Sequence, residues 1–342
     1  MSGALQSLVV MLDRAGPSFC YYDPPRADGG EPAPAEPMSA AVFERVLASA
    51  QRDDLALQLI AGAEGVPAEI AELLGDYPAV CYTPAAALLE QPPADGAPRT
   101  PFEQIPVFES SAPELCDELP LGRYNIAVLR VAREDLGALP ETWRRLAERV
   151  HRVVVVLRGI DRWDDDALAE HERVLAAIGD VLAPAYAEGA DAEISLVTDR
   201  MALDGPRHCN AGVEHITVAP DGTLHICPGF AADGKPPIGE VGGAPRIPNP
   251  ELLALERAPI CSLCDAYHCR RCVYLNQRAT LEVNTPPSQL CRASHREREA
   301  SRQLIDRLHA RGALRGLRPI EPIGYDDPLE LLLDGGARKR PA

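Results

Sequence analysis

The stretch CNAGVEHITVAPDGTLHIC, residues 209–227, decides how this chain is organised, because the sequence changes there from long helical segments to hairpins and cysteines. HITVA and TLHIC, on either side of PDG, each predict a short strand. Asp221-Gly222 predicts a tight two-residue turn between them, since glycine tolerates positive φ. Such a hairpin returns Cys227 to the start of the first strand, so we expect its thiol to lie within reach of Cys209.

Five further cysteines follow this hairpin. They are Cys261, Cys264, Cys269 and Cys272 in CSLCDAYHCRRC, and Cys291 after another 18 residues. Two residues between a pair of cysteines let both sulfurs point inward from one tight turn, which suits a metal centre. The four-residue gap between the pairs is shorter than the roughly 12 to 20 residues common in zinc ribbons. We therefore expect the thiols to be shared between two nearby centres.

Composition restricts the classes of function. The chain has 342 residues, of which 46% are hydrophobic and 25% charged, enough for one large domain and a smaller one. Its formal charge of −17 argues against a nucleic-acid or anionic-membrane surface and favours a peptide or a basic partner. No apolar run approaches the roughly 20 residues that span a bilayer, and the N-terminus lacks the basic start and the small-residue cleavage site typical of a signal peptide. We expect a cytoplasmic protein, in which clustered thiols bind metal more often than they form disulfides.

The first 205 residues alternate between apolar runs and segments of helical period. Strands are predicted at residues 7–12, 55–60, 79–82, 105–108, 125–131, 152–159 and 193–199. Helices are predicted at residues 39–50, 67–75, 139–150 and 166–187. Repeated strand–helix units predict an α/β fold with a parallel sheet, forming a complete or partial (β/α) barrel.

We therefore divide the chain into three parts. Residues 1–205 form the barrel-like part, and residues 206–293 form a small cysteine-rich domain. Residues 294–342 contain a helix, predicted at 293–314 from its helical period and charged face, and a tail that we expect to be loosely held.

The cysteine pattern resembles a known family. The seven cysteines from Cys209 onward follow the order C-x12-G-x4-C, then C-x2-C-x4-C-x2-C, then one last cysteine. This order is similar to that of the seven-cysteine SPASM domain attached to radical SAM enzymes that mature ribosomally made peptides. The chain is one residue shorter than the usual pattern in each of the last two spacings. Three segments resemble the subgroup called CXXX repeat peptide maturases: CNAGVEHITVAPDGTLHICPGF, ICSLCDAYHCRRCVYLN and TLEVNTPPSQLC. The likeness covers about residues 195–305, and the first half only in outline.

This resemblance implies two auxiliary [4Fe-4S] clusters. The second would be held by Cys261, Cys264, Cys269 and Cys291, and the first by Cys209, Cys227 and Cys272. The first cluster is one thiol short, and the resemblance implies that its fourth site is filled by a further cysteine near the first or left open for a substrate. His215 is a candidate for its fourth ligand, with His208 and His225 as rivals, because a histidine can ligate iron in some clusters. Zinc in one or both centres stays an alternative, since both metals use clustered thiolates.

The loop that defines radical SAM enzymes is missing two of its three thiols. The family has C-x3-C-x2-C after the first strand, and its three thiolates leave one iron open for S-adenosylmethionine. In DRAGPSFCYY, residues 13–22, those positions fall on Asp13, Pro17 and Cys20. Proline has no ligating atom, and a carboxylate is too hard a ligand for such a cluster. We expect no standard radical SAM cluster and no binding of S-adenosylmethionine, and interpret Cys20 as a small buried residue near a strand end.

The resemblance implies a component of a system that matures a ribosomally synthesised peptide. Its partners would be a precursor peptide, which we expect to contain cysteine, and a catalytic or leader-recognition protein, since no leader-recognition domain is evident at the N-terminus. The chain would bind the precursor, present a substrate thiol, or pass electrons to the catalytic partner. Two alternatives remain: an iron–sulfur enzyme that modifies peptides without S-adenosylmethionine, and a zinc-stapled binding module.

Overall fold

The structure is a computed structural model that describes residues 5–23, 34–90, 102–122, 124–314, 316–325 and 327–328. The elements of the first half are β1 (Ser7–Met11), α1 (Ala40–Asp53), β2 (Ala56–Ile60), α2 (Ala68–Leu74), β3 (Ala79–Pro84), α3 (Ala85–Glu90), β4 (Glu103–Glu109), α4 (Leu115–Glu118), β5 (Ile126–Val131), α5 (Leu139–Ala147), β6 (Arg152–Leu157), α6 (Asp165–Ala187), β7 (Glu193–Ile194) and α7 (Thr198–Ala202). The predicted strands and helices are confirmed here, apart from the extent of the last strand.

The cysteine-rich part is built from shorter pieces. Its elements are β8 (His215–Val218), β9 (Thr223–His225), α8 (Pro228–Ala232), β10 (Gly239–Glu240), α9 (Val273–Thr280) and α10 (Ser288–Ala310). The last helix begins five residues earlier than the predicted 293, directly after Pro287. This earlier start places Cys291 on its first turn.

One mixed sheet of ten strands runs through both halves, in the order β10-β9-β8-β1-β2-β3-β4-β5-β6-β7. β1 to β7 are parallel and follow sequence order, which confirms the predicted parallel sheet. Sequence-order winding is the arrangement found in (β/α) barrels. Among the described strands β10 and β7 stand at the two ends, and the partial barrel stays a prediction. None of the helices in the described part of the chain has the length and apolar character to cross a membrane.

The cysteine-rich hairpin continues this sheet. β8 pairs with β1 in parallel, from Ser7 opposite His215 to Val10 opposite Val218, and β9 pairs antiparallel with β8. The boundary near residue 205 stays a prediction. The pairing itself fixes the start of β8 beside the first strand of the barrel-like part.

The turn of this hairpin differs from the predicted two-residue turn. Ala219 N–H donates to the Thr223 carbonyl at 2.9 Å, which leaves Pro220, Asp221 and Gly222 as a three-residue loop. Gly222 has a φ of 88°, and its N–H donates to the Ala219 carbonyl. This is a turn followed by one left-handed residue, a common three-residue hairpin. The prediction that glycine marks this turn is confirmed. The predicted two-residue length is wrong, because Gly222 is the third residue of a three-residue loop.

The predicted strand at residues 193–199 is the second correction. Only Glu193–Ile194 pairs with β6, and α7 follows from Thr198. The Thr198 hydroxyl accepts from the Ile194 N–H at 3.1 Å and donates to the Ile194 carbonyl at 2.9 Å. These two side-chain bonds fold the backbone back on itself, so the apolar run ISLV does not extend the strand.

The two faces of the sheet near β1 carry different apolar clusters. Leu8, Val10 and Leu12 pack in a cluster that includes Phe43 and Val46 of α1. Side chains alternate along a strand, so Val9 and Met11 lie on the opposite, inner face, where they pack with Ile60 of β2. A separate cluster of Ile105, Val107, Val128, Val154 and Val156 lies farther along the sheet. Phe19, from the loop after β1, packs against both of these last two clusters.

A buried hydrogen-bond network joins α6, the cysteine-rich part and α10. Glu297 of α10 lies 3.2 Å from Nε2 of His171 and 3.1 Å from Nε2 of His268, through its two carboxylate oxygens. All three side chains are buried. Burial raises the pKa of the Glu297 carboxyl, but its hydrogen bonds to the two histidines outweigh this and lower it overall.

Replacing Glu297 by alanine should destabilise the fold. The change leaves two buried imidazoles without their shared carboxylate, so we expect the free energy of unfolding to fall by about 3 kcal/mol. Urea unfolding followed by circular dichroism under anaerobic conditions measures this.

The matched control is Glu299→Ala on the same helix. Glu299 pairs with Arg302 in a partly exposed i,i+3 ion pair, and its removal should cost less than about 1 kcal/mol. Equal unfolding midpoints for the two variants would show that the buried network contributes nothing.

Candidate metal centres

The first candidate centre is a small apolar pocket lined by four cysteines. They are Cys20, Cys209, Cys227 and Cys272. Cys209 precedes β8, Cys227 follows β9, and Cys272 lies directly before α9, so the hairpin places the first two together as the sequence predicts. Cys20 was not predicted at this site.

Backbone N–H groups surround the sulfurs of this first centre. The Leu275 N–H donates to Cys272 Sγ at 3.4 Å, which makes this thiol the N-cap of α9. The backbone at Ala211 and at Phe230 bonds to Cys209 and Cys227. Amide donors and a helix N-terminus both favour a thiolate over a thiol. The pocket therefore has the donors that a thiolate-bound centre needs.

The second candidate centre is lined by the remaining four cysteines of the pattern. They are Cys261, Cys264, Cys269 and Cys291, the set implied by the resemblance. The Ala266 N–H donates to Cys264 Sγ at 3.4 Å, and Ser294 bonds to Cys269. Cys291 reaches the pocket from the first turn of α10.

An arginine of α10 holds the loop of this second centre. Arg298, which is 1% exposed, donates to both carboxylate oxygens of Asp265, at 2.7 and 2.5 Å. Arg200 donates to the Asp265 carbonyl at 2.6 Å. Since Asp265 directly follows Cys264, these bonds fix the C-x2-C turn against the helix that carries Cys291.

The pair Cys269-x2-Cys272 is divided between the two centres. Cys269 lines the second pocket and Cys272 lines the first. Between them, the buried Arg271 donates to the Leu253 carbonyl at 2.8 Å and to Asn284 Oδ1 at 2.5 Å. Its positive charge favours the thiolate forms of both Cys209 and Cys261. The pockets therefore divide this pair of thiols, and the sharing of thiols between two metal centres stays a prediction.

The three histidine candidates occupy different places. His215 lines the first pocket, with its Nε2 3.7 Å from Cys209 Sγ. His208 lines the second pocket, and its Nδ1 lies 3.1 Å from the Cys269 carbonyl. His225 bonds to Thr223 in the hairpin, at 3.1 Å. The structure thus associates only His215 with the first centre.

Sequence reasoning missed His295 of the second centre. Its Nε2 lies 3.3 Å from Cys264 Sγ, and burial lowers the pKa of its imidazole to about 4. The neutral ring is therefore a hydrogen-bonding neighbour of the sulfur. No motif marks this position, because His295 meets Cys264 only through the packing of α10.

Cys20 was missed for a different reason. The sequence indicates that the first centre needs a fourth ligand, and it assigns no metal-binding role to Cys20. Cys81 and Cys116 are also without an assigned role, so the sequence does not favour Cys20 over them. Only the path of the loop after β1 separates Cys20 from those two.

Asp13 holds the backbone of the loop after β1. Asp13 Oδ1 accepts from the N–H groups of Ala15 at 2.8 Å and of Glu36 at 3.3 Å. The carboxylate of Asp13 thus holds the start of the loop. The expectation that no three-ligand radical SAM site forms on these residues stays a prediction.

The donor sets fit thiolate-bound iron–sulfur clusters. Of the described residues that line the first pocket, none is a carboxylate. Each pocket has a cavity volume of only about 20 Å³, so its lining must shift to admit a cluster. No three His, Cys, Asp or Glu side chains among the described residues are arranged around a point that could hold one metal ion.

The thiols are expected to be protonated without metal. Burial raises the pKa of Cys20 to about 12 and of Cys264 to about 11. Metal binding to such thiols releases protons and couples to folding.

Comparisons with known proteins give distant likenesses. No protein-family model and no curated protein matches the chain. Among solved structures, it is similar to Streptococcus suis SuiB bound to the precursor peptide SuiA, with 12% identity, a TM-score of 0.46, and coverage of 84% of this chain and 76% of that one. A second structure of Streptococcus suis SuiB gives 12% identity, a TM-score of 0.43, and coverage of 84% of this chain and 77% of that one. BtrN in complex with AdoMet and 2-DOIA gives 11% identity, a TM-score of 0.29, and coverage of 71% and 80%. Likenesses at these TM-scores carry no functional argument.

Cys269→Ala and Cys272→Ala should each remove a different centre, although only two residues separate them. We expect each variant to lose about half of the bound metal, and the remaining centre to differ between the two. Metal analysis, with electron paramagnetic resonance (EPR) of the reduced proteins, distinguishes them.

Cys116→Ala is the control, because Cys116 is buried on α4 away from both pockets. It should keep the full metal content. Loss of the same spectral component in both Cys269→Ala and Cys272→Ala would contradict the division of the pair.

Proposed function

We propose that this chain is a radical SAM/SPASM-like protein that lacks the catalytic cluster loop and acts in the maturation of a ribosomally synthesised peptide. In this proposal, residues 1–205 form a partial barrel, residues 206–293 a SPASM-like iron–sulfur domain, and residues 294–342 the last helix and tail. The division of Cys269 and Cys272 between two cysteine-lined pockets carries the proposal. It supports two centres with the thiol sets that the sequence resemblance implies.

Each centre would hold one [4Fe-4S] cluster. Cys261, Cys264, Cys269 and Cys291 would bind the second, and Cys209, Cys227 and Cys272 three irons of the first. Such clusters accept and donate one electron at a time, with potentials set by charge, burial and hydrogen bonds to sulfur. In this chain the reduction potentials would be set by amide groups that donate to the sulfurs and by the buried Arg271 between the centres.

The loop after β1 packs on the sheet through Phe19. Phe19 packs on the inner face and stacks on Tyr82, with ring centroids 4.2 Å apart and planes at 10°. Asp13 is engaged in backbone hydrogen bonds, and Pro17 offers no donor. These contacts support a protein that does not cleave S-adenosylmethionine. The chain would bind the precursor, present a thiol, or pass single electrons from a low-potential reductant to a catalytic partner.

The partner is proposed to be a cysteine-containing precursor peptide in the cytoplasm. The net charge of −17 favours a basic or neutral peptide over nucleic acid. A catalytic or leader-recognition protein would complete the system.

Anaerobically purified protein should contain about eight irons and eight sulfides per chain if two [4Fe-4S] clusters are bound. The expected absorption is the broad brown band of thiolate-bound clusters, bleached by dithionite. Inductively coupled plasma analysis and Mössbauer spectroscopy measure both.

The alternatives give different results in the same experiments. Stoichiometric zinc without iron would identify a zinc-stapled binding module. Mass spectrometry of the precursor peptide after incubation with the reduced protein alone tests for an enzyme. A mass change without S-adenosylmethionine or a partner would replace the proposed role with catalysis.

A further inference from the structure

We infer that Cys20 supplies the fourth thiolate of the first centre, so that the remnant of the lost radical SAM loop completes an auxiliary cluster. The inference rests on the proposed function, because it concerns the ligands of one of the two proposed clusters. Both centres then have four cysteine ligands. Neither the cysteine pattern nor the family resemblance assigns Cys20 to this site.

The pocket is the first observation. Cys20 lines the same small cavity as Cys209, Cys227 and Cys272. Four cysteines that line one apolar pocket match the ligand set of a [4Fe-4S] cluster.

The loop after β1 is held so that Cys20 stays at this pocket. The Ser18 hydroxyl donates to the Cys20 carbonyl at 2.7 Å and accepts from the Cys20 N–H at 3.1 Å. Phe19 stacks on Tyr82, and its carbonyl accepts from Arg270 at 3.5 Å. Arg270 belongs to the CRRC segment, so the loop is tied directly to the other ligands.

The end of the loop is fixed by ion pairs. Asp23 accepts from Arg130 of β5 at 2.9 Å and from Arg158 at 3.1 Å. Arg130 is buried on the inner face, where it also pairs with Glu109. Together with Asp13 at the start, these contacts determine the path of the chain on both sides of Cys20.

His215 lies in the same pocket but has a different role. Its Nε2 is within hydrogen-bonding distance of Cys209 Sγ, at 3.7 Å. An imidazole N–H that donates to a coordinating sulfur tunes a cluster without binding iron. We therefore assign His215 as a hydrogen-bonding partner of Cys209 and Cys20 as the iron ligand.

Coordination by Cys20 has a clear chemical result. Its thiol releases a proton to solvent as its sulfur bonds to the fourth iron. No iron then remains open for S-adenosylmethionine or a substrate thiol. The proposed function narrows to precursor binding and electron transfer, without thiol presentation at this cluster.

The test uses full-length Cys20→Ala, Cys20→Ser, His215→Ala and Cys81→Ala, purified anaerobically. Cys81 is a buried cysteine on β3 and hydrogen-bonds to Thr83, so it is the matched control. Cys20→Ala should lose about one iron per chain on mild oxidation and give the EPR signal of a three-iron cluster. Wild type, His215→Ala and Cys81→Ala should keep eight irons, with a shifted reduction potential only in His215→Ala.

A second measurement detects the open iron directly. Added 2-mercaptoethanol or imidazole should shift the Mössbauer or EPR spectrum of Cys20→Ala and leave wild type unchanged. Circular dichroism distinguishes loss of a ligand from misfolding. If the alanine variant fails to fold, Cys20→Ser is the second variant for the same measurement.

Three results would overturn the inference. They are an unchanged cluster in both Cys20 variants, loss of the labile iron in His215→Ala instead, or binding of the added thiol to wild type. A wild-type protein that holds zinc would defeat the proposed function separately. In that case, Cys20 is still supported if its variants lose one zinc, and overturned if the zinc content is unchanged.

Discussion

The cysteine-rich part depends on one constraint, which is that a single short segment contributes cysteines to two different pockets. Cys269 and Cys272 are only three residues apart, yet they line different sites. The segment between them must therefore be rigid, and the buried Arg271 and the helix beginning after Cys272 make it so. Three residues span at most about 11 Å of chain, so two clusters held here would be close neighbours. This closeness suits electron transfer between them.

The sheet connects this segment to the rest of the molecule. β8 pairs with β1, which fixes the hairpin bearing Cys209 and Cys227 beside the loop that leaves β1. The same loop carries Phe19 across the inner face and Cys20 into the first pocket. A loop that serves catalysis in the family it resembles would here serve the auxiliary centre.

α10 provides the second connection. It carries Cys291 on its first turn, His295 beside Cys264, and Arg298 against Asp265. One turn of the same helix places Glu297 between His171 and His268. The second centre is therefore supported by a helix that packs on the barrel-like part, and the stability of that centre and of the fold should be coupled.

The parallel sheet and most of its strands could be predicted from the sequence, because hydrophobic period is a local signal. The assignment of seven cysteines to two sets came from the family resemblance and stays a prediction. The sequence predicted that glycine lies in the hairpin turn. It did not predict the length of that loop, because the length depends on strand register. It extended the strand at residues 193–199 too far, because the side-chain bonds of Thr198 are not visible in apolar periodicity. Only the tertiary structure brought Cys20 to Cys209, Cys227 and Cys272. Nearly 190 residues separate Cys20 from Cys209, and their meeting depends on the pairing of β1 with β8 and on the anchored loop between them.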